Sequence, residues 1–99
     1  MNIIQTTVNM MNAAARASGV SAKALQGRRR THRLVLVRWA VWSAMIELGM
    51  THEEIARAFR RDRGTVSHAF RASQGLAGLD KQTFDDAKAA AKSTLKQSP

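Results

Sequence analysis

The chain has no cysteine among its 99 residues. That excludes a disulfide framework and a thiolate metal site, and it fits a reducing, cytoplasmic setting. Long apolar runs are missing as well. A bilayer-spanning helix needs about 18–20 consecutive apolar residues, whereas LVLV at 34–37 stops at Arg38. The N-terminus has no basic stretch ahead of an apolar one, so neither a signal peptide nor a membrane role is expected. Aromatic residues are few: three Phe, two Trp and no Tyr. Base stacking of the kind used on single-stranded RNA is therefore poorly supported. Acid is scarcest of all. No Asp or Glu precedes Glu47, while seven Lys or Arg do. The net charge of +9 and isoelectric point near 11.6 point to a polyanionic partner, nucleic acid ahead of anionic lipid.

Catalytic patterns are incomplete. His52-Glu53 opens a zinc-protease pattern, but Ala56 stands where the second histidine is needed. Ser67 and His68 are neighbours on a helix and so point in different directions. Neither a glycine-rich phosphate loop nor a carboxylate cluster for metal-assisted cleavage is present. No enzyme activity, cofactor or metal is expected.

What is present centres on residues 51–72, THEEIARAFRRDRGTVSHAFRA. Thr51 and Glu54 have the spacing of a capping box. Ile55, Ala56 and Phe59 give a first short helix one apolar face. RRDR then breaks the pattern, Asp62 can cap a second helix, and Val66, Ala69 and Phe70 recur at helical spacing. The outer face of that second helix keeps Arg63, Gly64, Thr65, Ser67, His68 and Arg71. Small residues, hydroxyls and arginines suit a helix lying in a major groove. The segment reads as a helix-turn-helix.

Upstream, residues 2–17 place Ile4, Val8, Met11 and Ala15 on one helical stripe, with Ile3, Met10 and Ala14 beside it, up to Gly19. Ser21 caps a short helix that Gly27 ends. GRRRTHR at 27–33 reads as a basic loop whose unneutralised arginines call for phosphate. Residues 34–48 are apolar on nearly all sides and read as a central helix, with both tryptophans in the core. QGLAGL is a connection, and residues 80–97 read as a last helix capped by Asp80 or Thr83, with Phe84, Ala87, Ala91 and Leu95 on one face. Early acids and late lysines suit its macrodipole. The expected division is a helix-turn-helix domain over 1–75, then a linker and C-terminal helix over 76–99 that packs back or binds a partner.

At 58–71, AFRRDRGTVSHAFR resembles the signature of the C-terminal DNA-binding domain (domain IV) of the bacterial replication initiator DnaA, which reads AFGGRDHTTVLHACR. Arg61, Asp62, Thr65, Val66, His68, Ala69 and Arg71 match by type. A looser likeness extends over about residues 4–72. The resemblance implies an all-α, Trp-repressor-like fold of five to six helices and sequence-specific binding to double-stranded DNA. It also implies that Asp62, Arg63 and Gly64 occupy base-reading positions, with Thr65 and His68 beside them. Three departures stand out. Arg63 replaces a histidine and Gly64 a threonine, so the preferred site should differ. The turn is one residue shorter. Leu36 falls opposite the family's minor-groove arginine, whose place Arg33 or the run Arg28, Arg29, Arg30 can take. The 99 residues hold no nucleotide-binding module, so ATP-driven origin opening is not expected of them.

The expectation is therefore a stand-alone, nucleoid-associated DNA binder of a bacterium or its phage, regulating transcription or replication. Arg60, Arg61 and Arg71 would hold phosphates, and the 28–33 loop would reach the backbone or minor groove. One helix-turn-helix reads few base pairs, which leaves room for a homodimer. The rival expectation is a basic adaptor that binds a host polymerase or initiator through the 80–97 helix.

Overall fold

The computed structural model describes residues 3–96. Among them run six α-helices: α1 (Ile3–Ser18), α2 (Ala22–Gln26), α3 (His32–Leu48), α4 (His52–Phe59), α5 (Arg63–Ser73) and α6 (Gly78–Ser93). A 3₁₀ turn, Thr94–Lys96, continues α6. The described residues contain no strand.

Helix α3 is the axle. It touches each of the other five helices, which is why its apolar residues surround it rather than line one side. Val37, Ala40, Val41 and Met45 are fully buried and meet Leu25 of α2, Ile55 of α4 and Val66 of α5 in one core cluster. Trp42 lies edge-on to Phe59 of α4, ring centres 5.7 Å apart, a favoured aromatic geometry. Gly49 ends the helix at φ 108°, in the left-handed region, and Thr51 opens α4 with the complete capping box that its spacing predicts. The basic loop is shorter than 27–33. Thr31 caps α3, so His32 and Arg33 already lie in its first turn.

Helix α6 packs along α1 and α3. Small residues on both sides, Ala14 and Ala15 of α1 and Ala87 and Ala91 of α6, allow the backbones close together. Phe84 fills the same core as the helix-turn-helix. Glu47 of α3 pins α6 from outside, paired with Lys88 and, at 2.7 Å, with Lys92. Hydrogen bonds from Lys88 and then Lys92 hold its carboxyl below the ordinary glutamate range. Neither Asp80 nor Thr83 caps α6. The helix begins at Gly78, and the capping position, Ala77, has no side-chain bond. Asp80 instead meets His32 Nε2 at 2.9 Å, tying the two helix starts together. The expected end of this helix at 97 lies outside the described residues. Of the stripe on α1, Met10, Met11, Ala14 and Ala15 are buried and Val8 is half-buried, whereas Ile3 and Ile4 remain exposed.

Because Phe84 is only 7 % exposed within the shared core, Phe84→Ala should destabilise the whole chain by about 3 kcal/mol. In thermal denaturation that is a fall in Tm of about 10 °C or more, in one transition. A Tm equal to that of Leu79→Ala, a change at a residue 80 % exposed, would show that α6 does not support the fold.

Candidate nucleic-acid interface

Helix α5 is set up by the residue that precedes it. Asp62 is extended at φ −84°, ψ 159°, and its Oδ1 accepts from Thr65 N at 2.8 Å and from Thr65 Oγ1 at 3.0 Å. The backbone and side-chain bonds from Thr65, with a further backbone contribution from Gly64, hold the Asp62 carboxyl below its usual range. The residue is therefore an anion at the helix start, where the macrodipole favours one. Arg63, Gly64 and Thr65 follow, all exposed, with His68 and Arg71 further along. From Arg63 to Arg71 the helix rises about 12 Å, and the apolar side between them, Val66 and Ala69, is buried against α3 and α4.

Two side chains of this face are engaged inside the chain. Thr65, though exposed, donates its hydroxyl to Asp62. Ser67 is half-buried, 2.7 Å from His52 Nδ1, and the His52 ring also rests against Phe70. These contacts lock α4 to α5. His68 is exposed but braced edge-on by Trp39, ring centres 6.1 Å apart.

The turn between α4 and α5 carries the backbone's one exception among the described residues. Arg60 caps α4 at φ 54°, ψ 46°, a left-handed conformation that costs a side-chain-bearing residue energy. Glycine would adopt it freely, so an arginine there keeps a cation at the elbow against the backbone's preference.

The structure brings together what the sequence holds 32 residues apart. Arg28 Nη2 donates to the carbonyl of Arg60 at 3.1 Å. Arg61 reaches in the opposite direction, donating to Phe59 O at 3.0 Å and to Gly27 O. The basic loop and the helix-turn-helix elbow thus form one ridge, with Arg29, Arg30 and Arg60 exposed along it. Arg61, expected to hold a phosphate, is half-buried and serves as the brace. Arg33 leaves the ridge: its Nη1 donates to Ser18 O at the end of α1, 3.3 Å away.

Three residues that the reading of the sequence did not place here complete the site. Arg38 is buried at 4 % exposure. Its Nε donates to Leu25 O at 2.8 Å, and its Nη2 to Ala24 O at 2.8 Å and Gly27 O at 2.9 Å. Burial, and next the charges of Arg61 and Arg30, loosen its hold on its proton. The signal for it was present, since a lone guanidinium in an apolar helix needs acceptors from somewhere. Trp42 is buried, as expected, but Trp39 is only half-buried. Both line a cavity of about 300 Å³ between the loop, α3 and α5.

If Arg60 is strained, Arg60→Gly should raise stability by about 1 kcal/mol, an increase of several degrees in Tm. An unchanged or lower Tm would mean that the elbow is not under strain.

No curated protein and no solved structure matches this chain significantly. The family model of the bacterial dnaA protein helix-turn-helix matches residues 7–72, which takes in α2 to α4, nearly all of α5 and most of α1.

Proposed function

The chain belongs to the bacterial DnaA helix-turn-helix family, and from that premise we propose that it is a sequence-specific binder of double-stranded DNA that regulates transcription or replication. The observation that carries this reading is the fusion of loop and elbow through Arg28 and Arg61 beside the exposed start of α5. A single rigid surface then offers base-reading residues and phosphate-holding residues together, which is what groove recognition requires.

In this reading α5 enters the major groove by its N-terminal end. Arg63 donates in bidentate fashion to guanine O6 and N7, a contact worth about 1–3 kcal/mol of discrimination. Asp62 uses one oxygen as the helix cap and has acceptor capacity left for a cytosine or adenine amino group. Gly64, with no side chain, lets the backbone come close to the base edges, and the Thr65 methyl suits a thymine methyl. Arg28, Arg29, Arg30, Arg60 and Arg71, with the helix start, hold phosphates. A protein partner approaching α6 would meet its polar side, because Phe84, Ala87 and Ala91 are already buried.

Neutralising about six phosphates predicts that log affinity falls against log salt with a slope near about −5. A slope near zero in a salt titration of duplex binding would remove this interface. The two kinds of contact should also separate by mutation. Selection from a random duplex pool should give a sharp site for the wild-type chain and a relaxed one for Arg63→Ala. Arg29→Ala should weaken all duplexes alike and make the salt slope about one unit shallower. Equal losses on every sequence for both variants would overturn the role given to Arg63.

A further inference from the structure

The cavity beneath the ridge is built unlike an ordinary surface cleft. Arg28, Arg30, Arg38 and Arg61 line it, together with Trp39 and Trp42, and none of its lining residues is acidic. Asp62, the carboxylate that stands next to this lining in the chain, is engaged with Thr65. Four guanidiniums with no counter-charge repel one another in a setting that is partly out of water. Burial first, and then the charge of Arg28, loosen the hold of Arg61 on its proton, as burial, Arg61 and Arg30 do for Arg38.

A second observation is independent of charge. Trp42 Nε1 is buried without a hydrogen-bond partner, and it is the one such side-chain nitrogen or oxygen among the described residues. An indole N–H can only donate, and a buried donor without an acceptor is costly. Trp42 is itself a lining residue of the cavity, so an acceptor carrying negative charge placed there would meet both needs once the indole N–H is turned to it.

We infer that this cavity is a binding site for a phosphate group, held by the guanidiniums of Arg28 and Arg30, with the indole N–H of Trp42 as a neutral donor. A phosphate offers oxygen acceptors in several directions, which matches donors from the loop and from α3. The volume of about 300 Å³ accommodates a group of that size and lies at the lower end of ligand pockets. Arg38 and Arg61 contribute charge rather than direction, because Nε and Nη2 of Arg38 are bound to the carbonyls of α2 and Gly27, and Nη1 and Nη2 of Arg61 to those of Phe59 and Gly27. The indole walls exclude water from one side and strengthen the attraction. The phosphate can come from a duplex backbone or from a small phosphorylated compound. Only the first source rests on the reading of the chain as a DNA binder.

The chain reports on this site by itself, since both of its tryptophans line the cavity. Intrinsic fluorescence of the full chain is titrated with inorganic pyrophosphate, chloride being withdrawn to hold ionic strength constant. The expected result is a saturable change, shifted to about tenfold higher concentration in Arg30→Gln. Trp42→Phe should weaken binding as well, read through Trp39, with folding of both variants checked by circular dichroism. A response that does not saturate, or that is identical in wild type and folded Arg30→Gln, overturns the site.

A labelled duplex then identifies the source. Displacement of duplex by pyrophosphate beyond the matched chloride control identifies a backbone phosphate. Simultaneous binding of both identifies a separate phosphorylated ligand. Saturable pyrophosphate binding with no duplex affinity keeps the site and removes the DNA reading. Duplex binding without a pyrophosphate response does the reverse.

Discussion

The buried guanidinium of Arg38 is the constraint on which the remaining geometry depends. It projects from the central helix, and its Nε and Nη2 satisfy the carbonyls of Ala24, Leu25 and Gly27 at the end of α2. A charged group removed from water must be solvated by the protein, so the short helix α2 and the start of the basic loop are held where those carbonyls can reach it. Arg61 then donates to Gly27 as well. Two arginines, one from α3 and one from the turn between α4 and α5, therefore meet at one peptide carbonyl and set the position of the loop against the elbow. Neither is itself a contact expected to face a duplex, yet both determine where the exposed arginines stand.

That arrangement places stabilising and functional demands in partial conflict. Positive charge is concentrated along the loop and elbow with little acid nearby, and Arg60 accepts a left-handed backbone to keep a cation at the turn. Such features cost stability in the free chain and favour binding of an anion. The opposite side of the molecule offsets this. Helix α6 buries Phe84 and its alanines against α1 and α3, and Glu47 gathers Lys88 and Lys92. Acidic residues begin only at Glu47, and in the fold several of them secure α6 or cap helices rather than dilute the basic ridge.

Local patterns were legible because they depend on neighbours in the chain. Thr51 and Glu54 satisfy each other's backbone groups within one helical turn, and Asp62 caps α5 through Thr65. The spacing of Val66 and Ala69 therefore locates the buried side of the recognition helix without any knowledge of what covers it. The same reasoning misjudged the last helix, where Asp80 has the composition of a cap but is drawn to His32 from 48 residues away. It also made His32 and Arg33 part of a loop, because their side chains are polar whether or not the backbone is helical.

From its residues alone this chain is determined to be helical, basic and poor in acid over its first half, and to carry an elbow followed by a capped, cation-bearing helix. Those properties follow from periodicity, short-range hydrogen bonding and composition. Only the tertiary structure decided which arginines face outward and which are structural. It turned Arg38 and Arg61 inward to backbone carbonyls, joined Arg28 to Arg60, and buried the indole N–H of Trp42 without a partner. The reason is physical: arginines are alike in sequence, and their roles are set by the acceptors that come within reach when distant segments pack.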